Sequence, residues 1–354
     1  MPHSPTAIPL PQARRIVRAL YRGLLGREPD PAGLRYWSDL VTQHGSAGAV
    51  LDAIVAGGEF QDIGARHADG AALWQTLAPA AAAALAGVPL QIVDVGAQEL
   101  EGEQHVYAPL CRPDLPHHVI GFEPLADKIR ESAARHAGKP LTLLPTFIGD
   151  GASHTFHINN DDATSSLLPL NEALTSLLAD LSHLHTVRRE TVTTSTLDQA
   201  LAGTARVDFL KLDIQGFEGR ALEHAGAVLG RTNVVHCEVS FAEIYQGQAL
   251  FAEVDTLLRA HGFEFIDLSS ACRYAYHGEA NSSARDRLGW GDAVYFKRAE
   301  LVAEARDLAA QMAVALLVYD KPSLAEFLAA RHDARAGGAL AGAFSAAVTG
   351  AAAA

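Results

Sequence analysis

Lys211 and Asp213 stand where a buried strand should carry no charge. They interrupt an apolar run made of Val207, Phe209, Leu210, Leu212 and Ile214, which reads as a short strand buried on both faces, as in a parallel sheet. Alternation puts Phe209, Lys211, Asp213 and Gln215 on one face and Leu210, Leu212 and Ile214 on the other. Two such charges without partners would cost several kcal/mol, about 2 or more each even on mild scales, so each needs a partner or a task. Gly216 breaks the strand and a helix starts at Phe217. In open α/β sheets ligands bind beyond the carboxyl ends of the strands, where Asp213 falls. Two readings stand side by side: a structural Lys–Asp pair at a strand end, or a proton-accepting carboxylate at a ligand site.

Other strand ends carry residues of the same kind. Asp94 and Gly96 close a strand over residues 90–96, and Gly96 permits the sharp turn and close backbone approach that a ligand needs. Glu123 ends the next strand, where a carboxylate can accept from both hydroxyls of a ribose. Asp150, between Gly149 and Gly151, could meet an adenine amino group or simply make an Asp-Gly turn. His236 and Glu238 share one face of a strand over residues 233–239, and either could act as a general base. The glycine fingerprint of dinucleotide sites is missing after Gly96, and so are the phosphate-binding loop and the nucleophile elbow. His117-His118 and His183-Leu184-His185 have no Cys or carboxylate cluster to complete a set, so no metal is expected.

The elements that must hold these residues alternate. Strands are expected at residues 90–96, 118–123, 141–148, 155–159, 190–195, 207–214, 233–239, 263–268 and 293–297. Helices are expected at 126–137, after 214 to about 229, at 250–260 and at 300–318. Repeated β–α alternation predicts a doubly wound, mainly parallel sheet. Residues 11–68 form a separate helical domain with a turn at Gly26–Gly33, and 71–89 form an Ala-rich connector helix. Residues 299–333 add C-terminal helices, and 334–354, rich in Ala and Gly, read as a low-complexity, frayed tail.

Composition narrows the classes. Of 354 residues, 49% are hydrophobic and 19% charged, which is a folded globular chain. Lys plus Arg number 28 against 41 Asp plus Glu, and the net charge of −13 argues against a nucleic-acid footprint or an anionic membrane surface. No apolar run reaches the roughly 18 residues of a membrane span. The first residues lack the pattern of a secretory leader, and Cys111, Cys237 and Cys272 are odd in number and far apart, so a cytoplasmic setting is expected.

Taken together, the blocks Val93-Asp94-Val95-Gly96-Ala97, Val119-Ile120-Gly121-Phe122-Glu123-Pro124, Ile148-Gly149-Asp150-Gly151, Ser165-Ser166-Leu167, Thr196-Leu197-Asp198 and Asp208 through Glu218 resemble the FkbM family of S-adenosylmethionine-dependent methyltransferases. The resemblance runs from about residue 90 to 298. It implies a Rossmann-like class I methyltransferase sheet, seven-stranded and mostly parallel, with an antiparallel final strand at 293–297. It further implies that Asp94 and Gly96 hold the methionine end of the cofactor, Glu123 the ribose and Asp150 the adenine side. Asp213, with Lys211 behind it, would face the methyl group and the acceptor. Where the family reads Asp-Val-Gly-Ala-Asn-x-Gly, this chain has Gln98 and Leu100, and Leu100 removes a glycine from the cofactor loop.

A second resemblance covers Leu20 through Trp37, closed by Gly58-Glu59-Phe60: a small helical domain of unknown function, distantly similar to phycobilisome linkers. Such domains occur beside enzymes of cell-surface glycans. The plainer alternative for this domain is a scaffold that packs Tyr21, Leu24, Tyr36 and Trp37 in its own core. The expected activity is therefore methyl transfer from S-adenosylmethionine to a hydroxyl of a saccharide, glycan precursor or related natural product. Asp213 is the first candidate base, His236 or Glu238 the next, and residues 164–166 form a loop over the acceptor. The N-terminal domain would be a docking point for a protein partner. The alternative is a non-catalytic assembly module with a degenerate cofactor site, which Leu100 suggests.

Overall fold

A computed structural model describes residues 8–25, 28–57, 70–97, 104–136, 138–278 and 285–351. The chain divides into two compact units: residues up to Leu73 together with those from Val348 onward, and Trp74–Ala347.

In the first unit, helices span Leu10–Leu25, Pro31–His44 and Gly48–Ala56. Asp30 caps the second by accepting from the amides of Ala32 and Gly33, with Pro31 pre-set for the first helical position. Ala13, Val17, Tyr21, Val41, Val50 and Ile54 make the core, with Leu24 and Trp37 packed against it. Trp37 donates its indole N–H to the Tyr21 hydroxyl at 3.0 Å. Tyr36 departs from that packing: it is 62% exposed, its ring T-shaped to that of Trp37 at 4.8 Å between centroids. The expected closing residues Gly58–Phe60 lie outside the described residues.

The second unit is built on a seven-stranded sheet. Its strands are β1 (Leu90–Val95), β2 (His117–Phe122), β3 (Leu141–Leu144), β7 (Val207–Leu212), β8 (Thr232–Ser240), β9 (Phe263–Tyr274) and β10 (Arg287–Lys297), in the order β3-β2-β1-β7-β8-β10-β9. All neighbouring pairs are parallel except that β10 runs antiparallel to both β8 and β9, the final-strand arrangement expected. One face of the sheet is apolar: Val93, Val95, Leu210, Leu212, Val235 and Cys237 pack with Ala221, Leu222, Leu229 and Leu258. Register puts Asp94 beside Lys211 and Lys211 beside His236, so the sheet's polar residues fall in a row on the opposite face.

Three expectations need correction. The single strand foreseen over 141–148 is two: β3 ends at Leu144, and β4 (Phe147–Ile148) joins a second sheet with β5 (Ser153–Asn159) and β6 (Thr186–Ser195) in the order β4-β6-β5. Pro145 has no N–H for the ladder and sends the chain away. The helix foreseen over 300–318 begins as a 3₁₀ turn, Ala299–Leu301, and the α-helix proper is Ala305–Leu317. The tail is not frayed within the described residues: helix Leu340–Ala351 buries Leu340, Phe344 and Ala347, spaced to share one helical face. The Asp333 carboxylate, accepting from the amides of Leu340 and Ala341, starts it.

Helix Ala305–Leu317 locks onto the amino ends of the central strands. Asp208, fully buried, accepts from the Gln91 amide at 2.8 Å and the Asn233 side chain at 2.9 Å, and pairs with Arg306. Arg306 also donates to the Pro89 carbonyl at 3.1 Å, and Gln311 reaches the carbonyls of Asn233 and Lys297.

Candidate active site

At the other end of the same strands the backbone makes two close turns. Gly96 has φ +83, and a Cβ there would stand 1.9 Å from the Asp213 carbonyl oxygen, so only glycine lets the β1 turn lie against the β7 turn. The Asp213 amide donates to the Val95 carbonyl at 3.0 Å. Beyond it Gln215 (φ +55) and Gly216 (φ +93) both take the left-handed region, and Glu218 braces the bend by accepting from the amides of Ile214 (2.7 Å) and Gly216 (3.3 Å).

These turns open on a cavity of about 520 Å³, within the range of small-molecule sites. Gly96, Glu123, Ile148, Ser166, Asp213 and Gln215 are among its lining residues. Glu123 is buried, and its Oε1 accepts from the Leu125 amide at 2.7 Å. Burial raises its carboxyl above the ordinary range, opposed by that hydrogen bond. Asp213 is half-buried, with 38% of its side chain open.

The other candidates stand behind or beside the cavity. Asp94 is fully buried and lies 3.1 Å from Lys211 Nζ, 2.8 Å from the Tyr107 hydroxyl and 3.2 Å from His105 Nδ1. Lys211 also donates to the Gly96 carbonyl at 3.2 Å and faces Asp213 Oδ2 at 3.6 Å. Burial works against its charge, yet the carboxylates of Asp94 and Asp213 prevail and hold the ammonium well above its usual range. Asp150 is not among the cavity-lining residues. Its Oδ1 takes His154 Nε2 at 2.7 Å and the Ala152 amide at 3.0 Å, and these bonds outweigh partial burial and lower its carboxyl. His236 lies 3.0 Å from the Tyr319 hydroxyl at Nδ1 and stacks with that ring. Burial holds its imidazole below the ordinary value.

Asp213, Glu218 and Glu238 form a group the sequence showed only in part: their carboxylate oxygens lie within 4.8 Å of one another. Burial pushes Glu218 up to about 7, and burial followed by the Asp213 charge holds Glu238 well above the usual carboxylate range. Such a group can keep protons at neutral pH. Glu218, Gln215, Tyr245 and Tyr319 were not singled out from the sequence. The pairing of a turn glycine with an acid two residues on, Gly216 and Glu218, is the signal that points to the first. Gln98, Leu100 and Gly102 lie outside the described residues.

A sheet of this strand order, with an acid-lined cavity at its carboxyl end, is matched by one family over most of that sheet: residues 94–265 fit the methyltransferase FkbM domain. This part of the chain is an FkbM methyltransferase domain. S-adenosylmethionine is the methyl donor of such enzymes, and the cavity, the Gly96 cradle and the buried Glu123 fit that group. Residues 11–63 match a domain of unknown function (DUF4214). Among solved structures, the methyltransferase FkbM from Methylobacillus flagellatus KT is similar at 14% identity, over 76% of this chain and 71% of that one, with a TM-score of 0.34. Magnesium protoporphyrin IX methyltransferase (ChlM) from Synechocystis PCC 6803, crystallised with bound SAM, is similar at 12%, over 83% and 100%, with a TM-score of 0.30. No curated protein matches the chain. No described helix is long and apolar enough to cross a membrane.

Proposed function

We propose that this FkbM methyltransferase acts in the cytoplasm on a hydroxyl of a saccharide, glycan precursor or related natural product, with Asp213 as the base. The observation that carries the chemistry is the single cavity that Gly96, Glu123 and Asp213 share. The saccharide rests on the N-terminal helical unit, whose kind accompanies enzymes of cell-surface glycans. That is an association of context.

Bound S-adenosylmethionine supplies the activated methyl group. Glu123 would accept from the ribose hydroxyls, while its Oε1 is held by the Leu125 amide. Gly96 lets the backbone come close to the cofactor's amino-acid end, and Asp94 acts there through Lys211, whose ammonium ties it to the Gly96 carbonyl. Asp213 takes the acceptor's hydroxyl proton as the oxygen attacks. Glu238, which burial and the Asp213 charge hold neutral, can donate its own proton in a hydrogen bond to that carboxylate and adds no second negative charge beside it. His236 is the weaker candidate, since Tyr319 covers it. Asp150 braces the turn after β4 and reaches the adenine side only through that turn.

Incubating the full chain with tritium-labelled S-adenosylmethionine and a panel of free and nucleoside-diphosphate sugars tests this. Label should appear in a sugar ether. Asp213→Asn, which keeps shape and removes charge, should lower the rate roughly 10²–10⁴-fold with the fold intact. A loss under threefold would move the base to Glu238 or His236, and label in none of the sugars would end the saccharide assignment.

A further inference from the structure

Gln215 joins three parts of the site. Its Nε2 donates to Asp213 Oδ1 at 3.1 Å, its Oε1 accepts from the Tyr245 hydroxyl at 2.9 Å, and its carbonyl accepts from Ser166 Oγ at 2.6 Å. The Tyr245 hydroxyl lies 2.8 Å from the Thr164 carbonyl as well, so Gln215 and the segment that carries the cavity-lining Ser165 and Ser166 meet in one network. A non-glycine residue in the left-handed region costs of order 1 kcal/mol or more. Gln215 sits there at φ +55, beside a glycine whose Cβ would come within 2.8 Å of the Tyr245 ring. Packing alone does not ask for an amide at this place, since glycine would take the turn with less strain. The side chain is what the strain accompanies.

We propose that Gln215 is a positioning residue for methyl transfer: its amide holds the Asp213 carboxylate toward the cavity and ties it, through Tyr245, to the segment Thr164–Ser166. The inference rests on Asp213 being the base. Asp213 is pulled from two sides, by the Gln215 amide at Oδ1 and by the Lys211 ammonium 3.6 Å from Oδ2. Without the amide, the ammonium is the nearest attraction, and the carboxylate swings inward to close that gap to a direct ion pair. Glu218 and Glu238 have carboxylate oxygens within 4.8 Å of that of Asp213 and repel it once they ionise, Glu238 in its neutral form being a hydrogen-bond partner of Asp213, and His236 and Asp292 are the other titratable groups that face this cluster.

Gln215→Gly is the test, because glycine takes this backbone conformation readily and the fold should survive. The full-length variant is crystallised with S-adenosylhomocysteine, titrated with it by calorimetry, and assayed for methyl transfer to the sugar that the labelled panel identifies. Expected are an Asp213 carboxylate turned onto Lys211, an affinity within twofold of the parent, and a transfer rate at saturating cofactor at least tenfold lower. Tyr245→Phe should lower the rate in the same direction by a smaller factor. A carboxylate unmoved in the Gln215→Gly crystal, or a rate equal to the parent's, overturns the proposal. Asp213→Asn working as well as the parent would instead remove the base assignment beneath it, and the crystal orientation of Asp213 separates the two failures without any acceptor.

Discussion

At the scale of single residues, the groups that could be read from the sequence were those whose chemistry clashes with their setting. Lys211 and Asp213 announced themselves as charges in an apolar strand, and Gly96 and Glu123 as strand-end residues with a use for a ligand. Gln215 and Tyr245 gave no such signal, because a glutamine before a turn glycine and a tyrosine in a loop are ordinary until their partners are known. Asp94 also reads as a strand-end ligand residue, and the contacts it makes with Lys211, Tyr107 and His105 could not be read from the sequence. Two predictions belong here. If Glu123 holds the ribose, Glu123→Ala should weaken S-adenosylmethionine by about 1.5–3 kcal/mol in calorimetry, roughly tenfold to a hundredfold in Kd. Unchanged affinity would take Glu123 out of the site. The second concerns pH. Burial raises Glu218 to about 7, so the fold favours its neutral form. The stability it contributes is complete below the ordinary carboxylate range and fades as pH rises through about 7. Melting temperature should therefore fall between about pH 5 and 7.5, with Glu238 adding in the same sense. Glu218→Gln keeps the shape and stays neutral, so its melting curve should fall less over that interval. An identical slope would contradict the assignment.

At the scale of elements, period and punctuation carried most of the sheet. β7 and β8 were legible because their apolar runs are bounded by turn residues, and β10 only over its last five residues, where Ala293, Val294, Tyr295 and Phe296 make an apolar run. The break between β3 and β4 was missed although Pro145 marks it, since the apolar run continues across it. The tail helix was missed because Ala and Gly suggest low complexity, while Phe344 and the Asp333 cap supply the anchoring. The tie from Asp208 to Arg306 was not legible either, as it joins residues 98 apart. It predicts that Arg306→Met, which leaves the Asp208 charge buried without its cation, should destabilise the second unit by about 3–5 kcal/mol in denaturant unfolding. A loss under 1 kcal/mol would show that Gln91 and Asn233 satisfy Asp208 unaided.

At the scale of the whole molecule, the two compact units meet the proposed division of labour: one carries every residue assigned to methyl transfer, the other none. The boundary proposed from sequence, a connector beginning at residue 71, falls just before Trp74, whose indole donates to Asp114 at 3.1 Å within the second unit. A chain starting at Ala71 should stay soluble and bind S-adenosylmethionine as the full chain does. It should keep activity on a small acceptor and lose it on a large or assembled glycan, if the helical unit docks the partner. A folded truncation that no longer bound cofactor would mean that the two units share a core. The central claim is simpler than any of these: the cavity that ends at Asp213 is a working S-adenosylmethionine site. Calorimetric titration of the full chain with S-adenosylmethionine measures it directly. One saturable site per chain, weakened by Glu123→Ala, is the predicted result, and a flat titration at millimolar ligand would contradict it.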